Sequence, residues 1–359
     1  MSQDSSYGAA FDPHTADEQR ILAHARRLRG KPLKAVLPLP HQVRERSPRD
    51  KGAVGQLIER YFNIIQNSDS APDFVAAGIE LKAVPLKVTS KGVRSKERTV
   101  ISMIDFPRLA EESWESASVR KKLESILFVF YNYVQGQEAV DAHVVDSVLW
   151  SPGADIRPQI EIDWSVVQHK ARHGLAHEIS EADGRILGAA TKGASGATRV
   201  AQYLNKGPLA RPRAWALKQS LTSHVFETEV RKKPEVSLAD TLTLSPNEQF
   251  ERAVLQQLEQ LRGRSIAELA RSVGVPLSRA KSGTSILIRR ALGISDDRAR
   301  IKEFEQFGIE IKTVPVSSAG RPFESMSFPR FYHMAIVEDD WVDSDLRARL
   351  ERLLVVPIL

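Results

Sequence analysis

The sequence predicts a mixed α/β fold in two domains, the second a shorter and degenerate copy of the first. Three observations predict it: a length of 359 residues, an internal repeat at an offset of 230 positions, and helical periodicity followed by strand-like alternation in each copy.

Length comes first, because 359 residues exceed the usual size of one domain and hydrophobic content of 42% supplies more than one core. No apolar run near 20 residues and no charged-then-apolar amino terminus occur, so the chain reads as cytoplasmic. Cysteine is absent, which excludes disulfides, thiolate zinc sites and cysteine nucleophiles and leaves oxygen or imidazole as the ligands for any metal. A net charge of +6 suits a polyanionic partner.

When the chain is slid against itself by 230 positions, residues 51–85 face residues 281–315 with twelve identities. Random pairing would give about two. The identities include Lys51/Lys281, Leu57/Leu287, Ile58/Ile288, Phe74/Phe304, Gly78/Gly308, Ile79/Ile309, Glu80/Glu310 and Lys82/Lys312. The same offset pairs Thr15 and Glu18 with Ser245 and Glu248, two capping boxes that predict a helix opening each copy. Apolar faces at Ile21, Ala25 and Leu28, and at Phe250, Val254, Leu258 and Leu261, carry those helices. At a slightly shorter offset, Phe106, Trp114, Leu123 and Leu127 match Phe328, Trp341, Leu350 and Leu354. The second copy then stops at Leu359, whereas the first runs on for about a hundred residues, so the second reads as incomplete. The expected organisation is a short flexible start (1–14), a first domain (15–230), a polar linker with two prolines (231–244) and the second copy (245–359).

Within each copy the pattern reads helix, helix, hairpin. Residues 55–65 form a helix with Leu57, Ile58, Tyr61 and Ile65 on one side and Glu59 toward its middle. Residues 79–84 alternate as a strand, placing Glu80 and Lys82 on one face, with Asp73 just before it. Hydrolysis of a phosphodiester needs a hydroxide-like nucleophile and compensation for charge on a pentacovalent transition state, and two carboxylates beside a lysine are suited to both. The spacing Pro72-Asp73, six residues, Glu80-x-Lys82 resembles the PD-(D/E)xK nuclease signature.

The surrounding text resembles the MutH and GATC-cutting type II restriction enzyme family over nearly the whole first copy. The resemblance is carried by Asp50 to Glu59, Asp73-Phe74, Gly78 to Lys82, Pro85, Glu97 and Thr99, and Trp114 with Val119 to Leu123. It continues through Leu149 to Pro152, Asp163-Trp164, Arg213 to Lys218 and Thr222-Ser223. It implies a restriction-endonuclease-like fold and a sequence-specific Mg²⁺-dependent endonuclease acting on double-stranded DNA, usually at GATC. Asp73 and Glu80 would bind the metal, Glu59 would join them directly, through water or at a second metal, and Lys82 would orient the attacking water. Lys192, Arg211, Arg213, Lys218 and Gln219 lie in segments that approach the duplex in the family, and Lys51 is a phosphate contact near the catalytic helix. Mismatch-repair members carry an aromatic sensor of adenine methylation near position 216, where this chain has Ala216.

Mismatch-repair members resemble a single copy, whereas the restriction enzymes resemble a tandem. In the second copy Glu310 and Lys312 persist, but Glu303 stands opposite Asp73 and Arg289 opposite Glu59, which implies a degenerate site that binds DNA or regulates. With one intact site per chain, cutting both strands would take two chains on DNA or two successive nicks, and a cognate methyltransferase would protect the genome. The alternatives are a strand-nicking mismatch-repair enzyme and a nuclease-derived protein that binds DNA without cutting. His169, His173 and His177 at helical spacing lack an acidic partner for zinc, and Gly193 to Gly196 lack the ending of a P-loop.

Overall fold

The computed structural model describes residues 11–37, 52–65, 71–89, 92–192, 198–242, 250–276, 283–296, 299–323, 325–328, 333, 337, 341 and 345–358. They fall into two compact units, Met1–Arg231 and Lys232–Leu359. No helix among the described residues is long and apolar enough to cross a membrane.

The first unit opens with α1 (Glu18–Arg26), whose inward residues Ile21 and Ala25 are buried, as is Leu28 just beyond it. Its cap is Asp17, whose carboxylate accepts from the Arg20 N–H at 2.8 Å; the expected Thr15 instead donates to Asp12. Asp17 stands directly before the first helical residue, where its carboxylate reaches the free amides, whereas Thr15 lies two positions further back. Helix α2 (Ala53–Tyr61) is shorter than expected, so Glu59 lies in its last turn and Ile65 is 82% exposed beyond it. Asn63 in a left-handed conformation (φ 56°) ends this segment and donates to the Phe11 carbonyl at 2.7 Å.

Strand β1 (Glu80–Thr89) turns back as β2 (Gly92–Ser95), giving the expected hairpin. The chain then crosses through β3 (Thr99–Met103), α3 (Phe106–Glu111) and α4 (Ser118–Leu123) to β4 (Ile126–Asn132), which lies parallel to β1. β5 (Val144–Trp150) completes a four-stranded sheet in the order β2-β1-β4-β5. Residues 126–131 are apolar throughout and buried, because this central strand is covered on both faces. Leu127, Val129 and Ile79 join α1 and α2 in one core, while Phe128 and Phe130 pack against Trp150 and Phe226 on the other face. A second antiparallel sheet, β3-β7-β6, takes β6 (Leu187–Thr191) and β7 (Arg213–Leu217), with α5 (Arg157–Arg172) and α6 (Gln219–Val225) beside it. Thr99, which follows the hairpin, therefore opens a strand of the second sheet and not of the first.

In the second unit, residues expected as linker carry β8 (Glu235–Val236) and α7 (Leu238–Thr241), with Leu238 wholly buried in the core. This apolar leucine makes the stretch part of the unit, which correction the polar surroundings concealed. Helices α8 (Phe250–Glu259), α9 (Ile266–Ser272), α10 (Gly283–Ala291) and α11 (Lys302–Phe307) follow, with β9 (Arg300–Ile301) pairing β8. The predicted cap at 245–248 lies outside the described residues. β10 (Glu310–Pro315) pairs in parallel with β11 (Leu353–Ile358), preceded by α12 (Asp345–Leu350). This matches the α4-β4 arrangement of the first unit: the Glu80 N–H donates to Ser125 O at 2.9 Å and the Glu310 N–H to Arg352 O at 3.1 Å. The hairpin partner expected for β10 is reduced to a short return at its end, where Val316 bridges Pro322 in antiparallel fashion and the Phe323 N–H donates to Pro315 O at 3.1 Å.

Glu303 is 7% exposed, and its carboxylate accepts from the Leu238 and Ala239 N–H groups at 2.9 and 3.0 Å and from the Ser237 hydroxyl at 2.8 Å. It satisfies the otherwise bare amides that open α7. Glu303→Ala is expected to lower stability in urea unfolding by about 2–3 kcal/mol, equally with and without Mg²⁺; a loss that appears only with the metal would assign Glu303 to metal binding.

His24 lies between the rings of Phe11 and Tyr61, at centroid distances of 4.3 and 4.4 Å. Burial holds its pKa below the ordinary value of 6.5, against the opposing effect of its hydrogen bond to the Tyr61 carbonyl. The neutral ring is therefore favoured in the folded state, and the stability it contributes is present above pH 6.5 and lost as pH falls through the depressed value. Thermal melts across this range should show a fall on acidification that His24→Phe flattens.

Candidate active site

A tight turn precedes β1. The Phe74 N–H donates to Ile79 O at 2.9 Å and the Ile79 N–H to Phe74 O at 3.3 Å, with Gly78 in the left-handed region (φ 66°) that only glycine enters without strain. Phe74 is wholly buried, which fixes the turn against the core and holds Asp73 at the edge of β1. There an Asp73 oxygen, Oδ2, accepts from the Leu81 N–H at 2.9 Å. The N–H and C=O of a strand residue point to the same edge, so the Leu81 carbonyl faces the same side.

On the strand face, Glu80 is 1% exposed. Lys82 Nζ lies 2.7 Å from its Oε1, as the two-residue spacing predicts. A second lysine, Lys122 of α4, donates to both Glu80 oxygens at 3.2 and 3.0 Å and is itself 7% exposed. Sequence reasoning placed Lys122 only within a resembling segment. The signal for its burial was its position between Val119 and Leu123, both core residues of a six-residue helix. A carboxylate this deep requires such partners, since an unpaired buried charge costs several kcal/mol.

Glu59 is half-buried on α2, which packs against β1, but it does not gather with Asp73 and Glu80: among the described residues no three His, Asp or Glu side chains form a metal cage. Asp73 at the edge of β1 and Glu80 on its buried face are hard oxygen donors of the kind that suits a divalent cation keeping most of its own waters. The histidines do not: His169 and His173 meet as tilted rings with centroids 4.2 Å apart, and His177 meets the amide of Gln202.

The residues expected to meet DNA divide in two. Lys192 and Arg211 are exposed. Arg213, Lys218 and Gln219 instead spend donors inside the domain. Arg213 donates to the Ala189 and Ile179 carbonyls and the Thr191 hydroxyl, and burial pulls its guanidinium below the usual range. Lys218 donates to Glu181 O at 2.8 Å, and Gln219 to the Ser95 and Lys96 carbonyls at 2.6 and 2.8 Å. They anchor β7 and the start of α6, because backbone carbonyls left unpaired in this segment reach the nearest long donors. Ala216, where the resemblance places an aromatic group, is buried in β7 between Val100 and Gly188. Lys51 lies outside the described residues.

In the second unit the Glu310 and Lys312 pair persists at 3.2 Å, but Lys312 also lies over the Phe328 ring and donates to Ser327 O. Arg289 donates to Ala299 O, and Glu303 is spent on α7. The second Glu-x-Lys strand thus lacks the neighbouring carboxylate that Asp73 provides.

The model of the DNA mismatch repair enzyme MutH matches residues 62–163 and again 292–359, two segments whose starts are separated by the same 230 positions as the repeat. The type II restriction enzyme Sau3AI of Staphylococcus aureus is 28% identical over 311 residues, covering 83% of this chain and 62% of its own length. The chain therefore spans less than two thirds of that relative. The mismatch repair protein MutH of Vibrio cholerae is 28% identical over 225 residues, covering 60% of this chain and 97% of its own, and that of Klebsiella pneumoniae 29% over 216 residues, covering 57% and 89%. With the turn, the paired strands and the Asp73-Glu80-Lys82 arrangement of the first unit, these matches make the chain similar to the MutH family in a segment of each copy.

Proposed function

We propose that the chain is a Mg²⁺-dependent endonuclease of the type II restriction class, cutting double-stranded DNA at a short palindrome, GATC by resemblance. The observation that carries this reading is the buried Glu80 carboxylate held between Lys82 and Lys122 beside the strand-edge Asp73. Support for restriction over mismatch-repair nicking comes from the likeness to Sau3AI, which runs through 83% of the chain.

Asp73, through the oxygen not committed to Leu81, and Glu80 would hold the metal, with the Leu81 carbonyl on the same edge. Mg²⁺ would supply charge compensation at the phosphate and favour ionisation of the attacking water. Lys82 is 19% exposed in its side chain, so its ammonium stands at the border between Glu80 and solvent, where it orients that water and stabilises its hydroxide form. Lys122 is buried, holds the Glu80 carboxylate in place and so acts as a positioning residue. In the second unit we read a degenerate copy that binds DNA or regulates, since Glu303 and Arg289 are committed to the fold. Cleavage of both strands would then require two chains on one site or two successive nicks, and a methyltransferase of the same system would protect the host.

Digestion of unmethylated plasmid tests this. Discrete fragments are expected with Mg²⁺, none with EDTA, and none from Asp73→Ala in either; nicked circles alone would instead favour the strand-nicking reading, and intact plasmid with a shifted band in a binding gel would leave a DNA-binding relative. Lys122→Met should lower cleavage at least tenfold and stability by about 3 kcal/mol, because it strands a buried carboxylate against one lysine. Unchanged cleavage in that variant would remove Lys122 from the site.

A further inference from the structure

Between β6 and β7 the chain makes an excursion that the proposed chemistry does not use. Residues 198–212 carry three Lys and Arg (Arg199, Lys206 and Arg211) and no Asp or Glu, in a chain that otherwise nearly balances the two. Val200 and Ala210 close the excursion into a ribbon by exchanging hydrogen bonds of 2.8 and 2.9 Å. At its tip Leu204 and Asn205 both occupy the left-handed region (φ 52° and 53°), a conformation costly for leucine. Leu204 is nevertheless 64% exposed, so no burial of its own side chain offsets that cost.

What holds the tip is Gln202. It is 3% exposed, accepts from the Ala176 N–H at 2.6 Å and donates to Pro208 O. Gly207 closes on Gly174 so tightly that a Cβ there would lie 2.3 Å from the Gly174 carbonyl. The fold therefore fixes an exposed apolar side chain in a strained backbone, with Lys206 beside it and Lys192 and Arg211 exposed at the base. Strain maintained by a surrounding network, on a surface with no internal use for the side chain, marks a contact element.

We infer that this ribbon is a DNA-contacting element, in which Leu204 makes an apolar contact in a groove while Lys206 meets a phosphate. The inference rests on the proposed action on DNA. Uninterrupted positive charge suits the backbone, and apolar side chains set among cations are a recurrent means of entering a groove.

The test uses the full-length Asp73→Ala chain as a cleavage-silent parent, with a fluorescent GATC duplex and anisotropy measured over a range of salt. Leu204→Gly is expected to weaken binding roughly fivefold with an unchanged salt slope, since no phosphate contact is lost. Its melting temperature should equal or exceed the parent's, because glycine relieves the left-handed strain. Leu204→Met, which keeps apolar bulk, should bind like the parent, whereas Lys206→Ala should reduce the log-log salt slope by about 0.9. Parent-like binding by Leu204→Gly, or equal loss in Leu204→Gly and Leu204→Met, overturns the role of the ribbon. A parent that binds no duplex overturns the proposed function as well, which separates the two failures.

Discussion

The ionised side chain of Glu80, buried in the middle of the first unit, is the constraint around which that unit is arranged. Left alone it would be expelled to solvent or protonated, and either would move β1. Two lysines prevent this, and they come from different places. Lys82 is supplied by the strand itself, two residues on. Lys122 arrives from α4, 42 positions along the chain, and reaches Glu80 only because α4 ends immediately before β4, whose first residue is registered against Glu80. The parallel pairing of β1 with β4 and the chemistry of the site are thus one requirement: the register that satisfies the backbone also satisfies the charge.

Much of this was legible in the sequence wherever a local rule decides the outcome. Period two placed Glu80 and Lys82 on one face, and period 3.6 chose the buried side of α1. The turn between Phe74 and Ile79 was not read from the sequence, although Gly78, at positive φ, is the residue that permits it. What escaped was fixed by tertiary partners. Nothing near Lys122 in the sequence names Glu80 as its mate, and Arg213, Lys218 and Gln219 look like surface donors until the carbonyls they serve are brought beside them. Leu238 was hidden among polar neighbours, although one buried leucine was enough to fold the supposed linker into the second core.

The two copies separate what a backbone demands from what a reaction demands. Phe74 and Phe304, Gly78 and Gly308, and Ile79 and Ile309 occupy equivalent turns, with glycine φ values of 66° and 67°. Those positions serve the chain path and persist. The carboxylate beside them differs in use. Asp73 gives one oxygen to a strand amide and would offer the other to the proposed metal, whereas Glu303, one methylene longer and carried on α11, gives both oxygens to the opening of α7. The second carboxylate is thereby committed to holding the fold together.

The crossover from β1 to β4 also governs when the site can exist. Parallel strands cannot zip from a turn; their pairing waits for a long loop to close, and the entropy of that closure is lost before any strand bond forms. A nascent chain exposing residues 73–82 therefore has the sequence of the site without its environment, since Lys122 and β4 have yet to emerge. On the proposed function, competence to bind metal and attack a phosphodiester would then arise late and all at once, in step with completion of the first sheet.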